Sequence, residues 1–463
     1  MNALKSSALV KKVKIKLVET NKMQLAELEK FLEKKENQKI NEETFLEMAK
    51  PINFSFSLEK CSRLLSHHVC ESLDSYTQQS QRYVKMGAGA FIVPAEIKKL
   101  GEGIEKEYTE LNNELLELYN EMTQIKEGFA GRKATEKDYV YGIKIEDGRY
   151  ALPISIMTNV FITMNFSKII NFYKIMKRAK FAESEELLSK LDEAIGEENI
   201  VKKINEFADN DCVDEKKIIE FEKMNFGRIS EKENCVLINS FENPLLRSGL
   251  GALTSTNAGT PSTILEGWEK EHKKEEKARG VTERVLNYGH ESIVEHARTT
   301  FGLMMSLTCY HQFERHRLPN NIRERFEEIP AKSEVLIPEA VKREKELLKK
   351  FEGIVKKTKK FREKLGEIGE KKAGAYLLLN CDLLKVISST NTRIDREVMC
   401  ERLCNNAQWE IRELYEKKLA LLKKLAPVIY DKIGPGCTRG PCPEGALMCG
   451  KIIEVRKKYG VMQ

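Results

Sequence analysis

Short apolar runs recur at matching places in the two halves of the chain. Residues 14–20, KIKLVET, resemble residues 234–241, NCVLINSF, and each has the pattern of a buried strand that ends in a polar turn. Residues 150–165, YALPISIMTNVFITMN, resemble residues 375–391, AYLLLNCDLLKVISSTN. These segments predict apolar strands at equivalent positions in two related domains.

Long charged stretches follow a second pair of matching segments. FIVPAEI at 91–97 resembles VLIPEAV at 335–341. The residues after each, 105–128 and 339–370, place apolar side chains three and four positions apart, which predicts long amphipathic helices. The charged part of the second helix is expected to be a solvated face.

The matching segments indicate an old internal duplication with loop insertions. Three residue pairs give offsets of 220, 244 and 226 positions: Leu17 with Leu237, Pro94 with Pro338, and Asn165 with Asn391. A polar stretch at 228–234 places the boundary near residue 230, which predicts domains over 1–230 and 231–463. Strands and helices mix without strict βαβ alternation, which favours an α+β fold.

Composition excludes several classes of protein. The 78 basic and 71 acidic residues leave a formal charge of +7, too small for a strongly basic nucleic-acid coat. A hydrophobic fraction of 41% supplies a core and excludes wholesale disorder. No apolar run approaches the roughly 20 residues that a membrane span needs. The chain start lacks an apolar leader pattern, so we expect no secretory signal, and eleven scattered cysteines indicate reduced thiols and a cytoplasmic protein.

The densest cluster of polar side chains lies in the second half. GHESIVEH spans residues 289–296, an apolar strand follows, and CYHQFERHR spans residues 309–317 as a short helix that breaks at a Leu-Pro pair. The Arg-His-Arg tripeptide has two interpretations. It is either an anion clamp, because two guanidiniums supply forked donors, or a solvated basic turn.

Metal chemistry is not favoured by the same residues. His290 and His296 are six positions apart, about 240° around a helix, so they do not face one ion from one helix face. Cys437, Cys442 and Cys449 have a C-x4-C-x6-C spacing without a clear fourth ligand. We therefore expect no metal and interpret these cysteines as ordinary thiols.

Taken together, these motifs resemble the flavin-dependent thymidylate synthase family. GHES-x-x-EH, the strand, CYHQ-x-x-RHR, an N-T-R tripeptide and AQWEIREL at 407–414 occur in the family's order, and the tail at 434–445 is similar to that of some members. The resemblance covers most of residues 235–450. It implies tandem α+β domains of the thymidylate-synthase-complementing type that form a pseudo-dimer.

The two copies depart from the family signature, R-H-R-x-x-S followed by Q/E-x-S-x-R, in opposite ways. In the second copy Asn320 replaces the serine, and the loop is two residues shorter than the pattern. In the first copy Cys-Glu-Ser at 70–72 stands in place of the clamp, whereas QQSQR at 78–82 matches the rest. Arg149 precedes a Leu-Pro pair where the family has a substrate-binding arginine, and the second copy has Ala375 there.

The second copy keeps three further family positions, two of which differ in the first copy. It has asparagine, arginine and arginine where the first copy has asparagine, serine and methionine: Asn391 against Asn165, Arg393 against Ser167, and Arg402 against Met176. Family active sites lie between subunits of a homotetramer, with the clamp from one chain and the phosphate loop from its partner. The resemblance therefore implies one composite site per fused chain, a second site that has decayed, and a homodimer that rebuilds a pseudo-tetramer.

The resemblance also implies the reaction and its residues. dUMP would be methylated to dTMP with methylenetetrahydrofolate as carbon donor and FAD, reduced by NADPH, as hydride source. Arg402 is the catalytic candidate, because a guanidinium beside the uracil ring stabilises negative charge there. The substrate-binding candidates are Gln78, Gln79, Ser80, Gln81, Arg82, Arg149, Gln312 and Arg315. The flavin-binding candidates are His290, Ser292, Glu295, Arg315, His316, Arg317, Asn391 and Arg393.

Two alternative functions stay open. One is a related flavoenzyme that alkylates another uracil nucleotide or uses another one-carbon donor, which substrate assays would distinguish. The other is a non-catalytic regulator that binds flavin or nucleotide without turnover. The expected partners are dUMP, folate and a second copy of the chain, with no nucleic acid and no membrane.

Overall fold

The computed structural model describes residues 14–72, 74–129 and 134–460. The expectation that no secretory signal is present concerns residues that lie mostly before 14, outside the described part of the chain. Within the described residues, no helix combines the length and the apolar character that crossing a membrane requires.

Helices and strands occur in both halves of the described chain, which confirms the α+β prediction. The strands are β1 (Lys14–Thr20), β2 (Asn53–Ser62), β3 (Ser75–Gln78), β4 (Met157–Asn165), β5 (Cys235–Ser240), β6 (Arg298–Ser306), β7 (Asn320–Arg323) and β8 (Leu383–Asn391). The helices of the first half are α1 (Lys22–Leu32), α2 (Glu42–Ala49), α3 (Arg63–Cys70), α4 (Ala95–Lys98), α5 (Glu102–Met122), α6 (Ile145–Gly148), α7 (Ile169–Ala179), α8 (Ala182–Ile195), α9 (Glu198–Asp209) and α10 (Glu215–Phe226). Those of the second half are α11 (Pro244–Thr254), α12 (Pro261–Lys270), α13 (Lys274–Asn287), α14 (Leu307–Phe313), α15 (Glu339–Lys342), α16 (Lys345–Glu367), α17 (Lys371–Ala375), α18 (Thr392–Arg402), α19 (Trp409–Leu425), α20 (Pro427–Tyr430) and α21 (Ile452–Lys458).

The two sheets have the same strand order. One runs β1-β2-β4-β3 and the other β5-β6-β8-β7. The first strand of each sheet is irregular at the same place, between Leu17 and Glu19 in β1 and between Leu237 and Asn239 in β5. An internal duplication explains both the shared order and the shared bulge, and the predicted pairing of Leu17 with Leu237 is confirmed.

The helix starts confirm the other two residue pairs. Asn165 and Asn391 each end a strand and accept a backbone N–H through the side chain, which caps the helical turn that follows. Pro94 and Pro338 each stand at the N-cap of a four-residue helix before a long one. The chain therefore consists of two related copies.

The long helices differ from their predicted ends. The helix expected over 105–128 is α5, which ends at Met122, where the Thr123 hydroxyl donates to the Tyr119 carbonyl at 2.7 Å. The stretch expected as one helix over 339–370 is interrupted, because Glu344 is extended between α15 and α16. Periodicity alone does not show such an interruption.

The backbone divides into two compact units that do not coincide with the two copies. The first comprises Met1–Asp214, Ser306–Thr308 and Arg325–Asp382, and the second Glu215–Met305, Cys309–Glu324 and Leu383–Gln463. A segment of the second copy thus belongs to the first unit. The boundary between copies near residue 230 stays a prediction.

The core of the first unit lies between the sheet β1–β4 and helices α1, α2, α3 and α7–α9. Side chains of β2 alternate, so that Phe54, Phe56 and Leu58 are buried. Helix α7 buries Phe172 and Met176 on the same side. Burial of this apolar stripe fixes the sheet to the helices that follow it.

Within the first unit, equivalent segments of the two copies pair with each other. The Ile154 N–H donates to the Leu378 carbonyl and the Asn380 N–H to the Leu152 carbonyl, both at 2.8 Å. The equivalent bonds of Ser155 to Tyr376 and of Cys381 to Tyr150 measure 3.1 and 3.0 Å. Each bond has its counterpart 226 positions along the chain, which gives this unit a local pseudo-twofold axis.

In the second unit, α19 packs against β5. The Lys418 ammonium of α19 lies 5.0 Å from the ring centroid of Phe301 and binds the Asp395 carboxylate of α18 at 2.6 Å. Both charged groups are buried. This ion pair ties α18, which carries Arg402 at its last turn, to the sheet.

Candidate active site

The QQSQR segment begins at the end of β3 in the first unit. Gln78 is buried and donates to the Cys70 sulfur at 2.7 Å and to the Ser66 carbonyl at 3.4 Å. Gln79 accepts from the Asn159 amide at 3.0 Å. Both amides are therefore engaged by the protein itself.

Arg82 is held in the loop by a carboxylate. Its Nε and Nη2 both lie 3.0 Å from the Glu146 Oε2, and Lys144 binds the other oxygen at 2.8 Å. Burial opposes ionisation of Glu146, but Arg82, Lys144 and Arg149 outweigh it and lower the pKa of this carboxyl below its ordinary value. The Arg82 backbone N–H donates to the Ser80 hydroxyl at 3.2 Å. The loop thus concentrates positive charge around one ionised glutamate.

Arg149 lies next to this loop and is only 1% exposed. Its Nε donates to the Glu146 carbonyl at 3.2 Å. Its Nη2 is buried and has no hydrogen-bond partner among the described residues. A buried guanidinium with an unsatisfied donor is unfavourable by itself and favourable beside an anion.

Gln81 is also almost fully buried, at 3% exposed, and it too has a side-chain donor without a partner among the described residues. Its Oε1 accepts from the Asn380 amide at 3.1 Å, while its buried Nε2 lacks a partner in the described part of the chain. Asn380 also donates to the Arg149 carbonyl at 2.9 Å. Two buried donors, on Gln81 and Arg149, therefore share one organising amide.

The second unit contains the clamp candidates. His316 and Arg402 meet there, with the Arg402 Nε donating to the His316 Nε2 at 2.6 Å. Burial first, and then the charges of Arg402, Arg315 and Arg317, lower the pKa of His316 to about 3. His316 is thus a neutral imidazole whose Nε2 accepts, which places its proton on Nδ1.

Burial lowers the pKa of Arg402 somewhat, and the guanidinium stays charged. Its counterpart in the first copy, Met176, is buried in the core of the first unit. The same helical position therefore carries a cation in one copy and core packing in the other. The His316 imidazole positions Arg402. The Glu401 carboxylate lies 3.5 Å from the Arg402 Nη2, which is a longer contact and neutralises the guanidinium less closely.

Gln312 and Arg315 differ in exposure. Gln312 is buried and donates to the Gln408 Oε1 at 3.5 Å, and its own Oε1 has no hydrogen-bond partner among the residues described. Gln408 also caps α19 through the Ile411 N–H. Arg315 is exposed. One of these side chains is fixed by the protein and the other extends into solvent.

The flavin candidates at 290–296 form a 3-10 turn. His290 and Ser292 are exposed at its start. Glu295 binds Arg393, and Glu291 binds Arg396 at 2.7 Å. This turn therefore presents polar groups to solvent and is attached to α18 by two ion pairs.

Asn391 does not face solvent in the same way. It is 8% exposed, and its Oδ1 accepts the Ile394 N–H at 3.0 Å. The residue therefore has a structural role as the cap of α18. Whether it also binds flavin stays a prediction.

The helices before the clamp refine the alignment of the two copies. The Arg63 N–H donates to the Ile156 carbonyl, as the Leu307 N–H does to that of Asp382, an offset of 244 positions. Glu71 rather than residue 70 then corresponds to Arg315. In the strands, Ser75 pairs with Thr163 as Asn320 pairs with Ser389, which confirms that Asn320 replaces a serine. The first copy has no arginine at the clamp with either alignment.

Several residues of these clusters were not predicted from the sequence. Glu146 and Asn380 bind Arg82 and Gln81 of the QQSQR segment, and Asn380 occupies the position where the first copy has Ile154. An acidic residue three positions before Arg149 is a signal that could have been noticed. Asn380 offered none, because an isolated asparagine in an apolar run does not reveal its partner.

A fourth thiol, that of Cys404, interacts electrostatically with the three C-terminal cysteines. Burial first, and then Cys442, Cys404 and Cys449, raise the pKa of the Cys437 thiol. The Asn405 amide contacts the Cys449 sulfur at 3.6 Å, which attaches the C-terminal tail to the end of α18. The sequence spacing had given no reason to group Cys404 with the others.

Comparison with known proteins identifies similar chains. The family model for the thymidylate synthase complementing protein matches residues 6–195 and 251–428. A flavin-dependent thymidylate synthase of Thermococcus kodakarensis is 37% identical over 177 residues, which are 36% of this chain and 72% of that protein. One from Geobacter sulfurreducens is 32% identical over 185 residues, 39% of this chain and 80% of the relative.

A solved structure shows a weaker likeness. A UMP/dUMP methylase from Streptomyces cacaoi has 16% sequence identity and a TM-score of 0.35, covering 42% of this chain and 92% of that one. These values are too low to decide fold or function.

Proposed function

The chain belongs to the thymidylate synthase complementing protein family, and we propose that it is a flavin-dependent thymidylate synthase that converts dUMP to dTMP at one composite site. The family model matches both copies, and the relatives named flavin-dependent thymidylate synthase match about two fifths of the chain. The observation that carries the proposal is the pair of buried, unpartnered donors on Gln81 and Arg149. These donors suit a phosphate.

The enzyme is an FAD-dependent methyltransferase, with NADPH and methylenetetrahydrofolate as co-substrates. When bound, FAD supplies the hydride chemistry that no side chain provides. The donor set of the second copy fits this cofactor, because the charges of Arg315, Arg317 and Arg402 already act together on His316. A pyrophosphate or a nucleotide would relieve that concentration of positive charge.

The phosphate end of dUMP is assigned to the first copy. Arg149 and Gln81 would donate from their unpartnered nitrogens, and the Ser80 hydroxyl would donate from the same loop. Arg82 would add charge, in exchange for part of its contact with Glu146. The oxygens of a dianionic phosphate accept several such bonds at once.

The uracil end is assigned to the second copy. His316 holds the Arg402 guanidinium by its Nε, so that a terminal nitrogen would face the N3 and oxygen edge of the ring, while Nη2 also lies 3.5 Å from Glu401. Positive charge there stabilises the negative charge that develops during attack on the one-carbon donor. Gln312 and Arg315 would close over the nucleotide, and His290, Ser292, Arg317 and Arg393 would hold the flavin.

Two alanine variants test the composite site. Arg82→Ala in the first copy and Arg315→Ala in the second should each reduce dTMP formation by at least about a hundredfold, because each removes a charged contact to the nucleotide. Met176→Arg serves as the control for the decayed site and should restore nothing. Unchanged turnover in Arg82→Ala would overturn the shared site.

Mixing the two variants shows which chains build the site. If loop and clamp come from one chain, as we propose, co-expressed Arg82→Ala and Arg315→Ala chains stay inactive. If they come from two chains, mixed dimers recover a share of the activity. The native mass of the wild-type protein tests the proposed homodimer independently.

Flavin content and substrate choice separate the remaining alternatives. About one flavin per chain supports one live site, and two per chain would contradict the proposed decay. Binding of flavin and dUMP without turnover would identify a regulator. Faster alkylation of UMP or another uracil nucleotide than of dUMP would identify the sister enzyme.

A further inference from the structure

We propose that Asn380, supplied by the second copy, is a positioning residue that orients Gln81 of the first copy as a donor for the substrate phosphate. The inference rests on the proposed function and deepens it. Asn380 was in none of the predicted site sets, and the segment that contains it has lost its own arginine, since Ala375 stands where the first copy has Arg149. The structure therefore assigns this segment a new role at the surviving site.

The hydrogen bonds determine which way each amide faces. A backbone carbonyl only accepts, so the 2.9 Å contact with the Arg149 carbonyl must come from the Asn380 NH2 group. The same Nδ2 contacts Gln81 at 3.1 Å, so Gln81 must present its oxygen there. The Gln81 NH2 group is consequently turned away from Asn380, as a donor.

That donor is buried and unpartnered within the described residues, as is the Nη2 of Arg149. Gln81 and Arg149 are 3% and 1% exposed, so water does not readily satisfy them. Both groups can only donate at these atoms, which selects an acceptor ligand. An anion with several oxygens, such as the phosphate of a nucleotide, matches two donors from one small cluster.

Asn380 is itself rigidly placed. Its backbone N–H donates to the Leu152 carbonyl, and its own carbonyl accepts from the N–H and the hydroxyl of Thr308 at 3.0 and 3.1 Å. The backbone of Asn380 is thus held on both sides, and its NH2 group is held by two acceptors, the Gln81 Oε1 and the Arg149 carbonyl. The counterpart in the first copy is Ile154, which offers no side-chain hydrogen bond.

The experiment compares the binding of dUMP with that of deoxyuridine, which lacks the phosphate, by calorimetry on the flavin-loaded full chain. Asn380→Leu should weaken dUMP binding about tenfold and leave deoxyuridine binding within twofold. Asn380→Asp should weaken dUMP binding more, because a carboxylate would attract the Gln81 NH2 and add negative charge. Flavin content and thermal melting verify that each variant is folded.

The matched control is Thr308→Val, which removes a hydroxyl bond to the Asn380 carbonyl and leaves the amide unchanged. Its dUMP binding should stay within twofold of wild type. In a Gln81→Ala background the effect of Asn380→Leu should fall to about twofold, because the orienting contact has no remaining target.

Four results would overturn the inference. Equal loss of dUMP and deoxyuridine binding would show a merely structural role, and so would a full tenfold effect of Asn380→Leu in the Gln81→Ala background. Unchanged dUMP binding in Asn380→Leu would contradict the inference while leaving the proposed function intact. If the wild type does not prefer dUMP to deoxyuridine, the proposed function fails first and the inference fails with it.

Discussion

The residues after β3 and those after β7 follow the same backbone register and carry different chemistry. In each case the first residue beyond the strand donates its N–H to the neighbouring strand, Gln79 to the Asn159 carbonyl and Glu324 to that of Lys385, both at 2.9 Å. The second copy has as many residues from the start of β7 to Glu324 as the first copy has from the start of β3 to Gln79, so it is not shortened there. The backbone at the start of the QQSQR segment and of its counterpart was therefore preserved in both copies.

Two residues further on, the side chains diverge. Gln81 is a buried amide with an unpartnered donor, whereas its counterpart Phe326 is a buried ring 5.5 Å from the centroids of His67 and His68. A buried polar side chain in one copy thus corresponds to apolar packing in the other, at the position where we propose that the first copy binds phosphate. The comparison teaches that side chains were replaced here while the hydrogen bond of the preceding backbone was kept, as the proposed decay of the second site requires.

The largest expected effect concerns Arg149 and its counterpart in the second copy, Ala375. Arg149→Ala should lower kcat/KM for dUMP about a hundredfold, because it removes a buried charged contact to the phosphate. Ala375→Arg should not create a second site, since the first copy also lacks the clamp arginines and has Met176 in place of Arg402. Steady-state kinetics and flavin stoichiometry measure both. A second flavin bound to Ala375→Arg would show that the other site was one residue from function.

A buried carboxyl in the first unit predicts a pH dependence. Burial first, partly offset by hydrogen bonds from Ser62 and Tyr376, raises the pKa of Glu183 to about 7. Because the folded state binds this proton more tightly, the stabilisation is present below pH 4.5 and is lost as the pH rises to 7, by about 3 kcal/mol. Urea unfolding of Glu183→Gln should show no such loss. Parallel profiles for variant and wild type would contradict the assignment.

The imidazole of the second unit predicts the opposite slope. The pKa of His316 is lowered to about 3, so the unfolded chain takes up the proton first. Its contribution to the free energy of unfolding is present above pH 6.5 and falls on acidification, by about 2 kcal/mol at pH 5. His316→Gln should flatten this part of the profile in urea titrations.

The smallest effect concerns the long helices α5 and α16 of the first unit. Lys350, Lys357 and Lys364 of α16 bind Glu121, Glu114 and Glu107 of α5 at 2.6, 2.5 and 2.6 Å. All the bases lie on one copy and all the acids on the other, an arrangement that two identical helices could not produce. The copies have therefore diverged at this contact as well as at the site.

Lys357→Glu should lower the melting temperature by about 1–2 °C, because exposed ion pairs contribute little. Adding Glu114→Lys should recover most of that loss, and high salt should reduce both effects. Lys356→Glu is the matched control on the same helix, and it should change the melting temperature less. Equal losses for Lys356→Glu and Lys357→Glu would show that only the net charge of the helix matters.

Much of the candidate site could be predicted from the sequence, for an identifiable reason. The retained motifs are contiguous in sequence, such as QQSQR at 78–82 and the tripeptide at 315–317. Contiguous motifs can be recognised without knowledge of the fold. Their partners could not be predicted. Glu146 lies 64 positions from Arg82, and Arg402 lies 86 positions from His316.

The sequence by itself determined the duplication, the α+β class, the family and the opposite losses of the two copies. These properties depend on local periodicity and on short motifs, which each half of the chain records separately. Only the tertiary structure decided that Asn380 meets Gln81 across 299 positions and that the segment 325–382 belongs to the first unit. Which side chains meet over such separations depends on strand register and on the pairing of the two copies, and no local pattern encodes either.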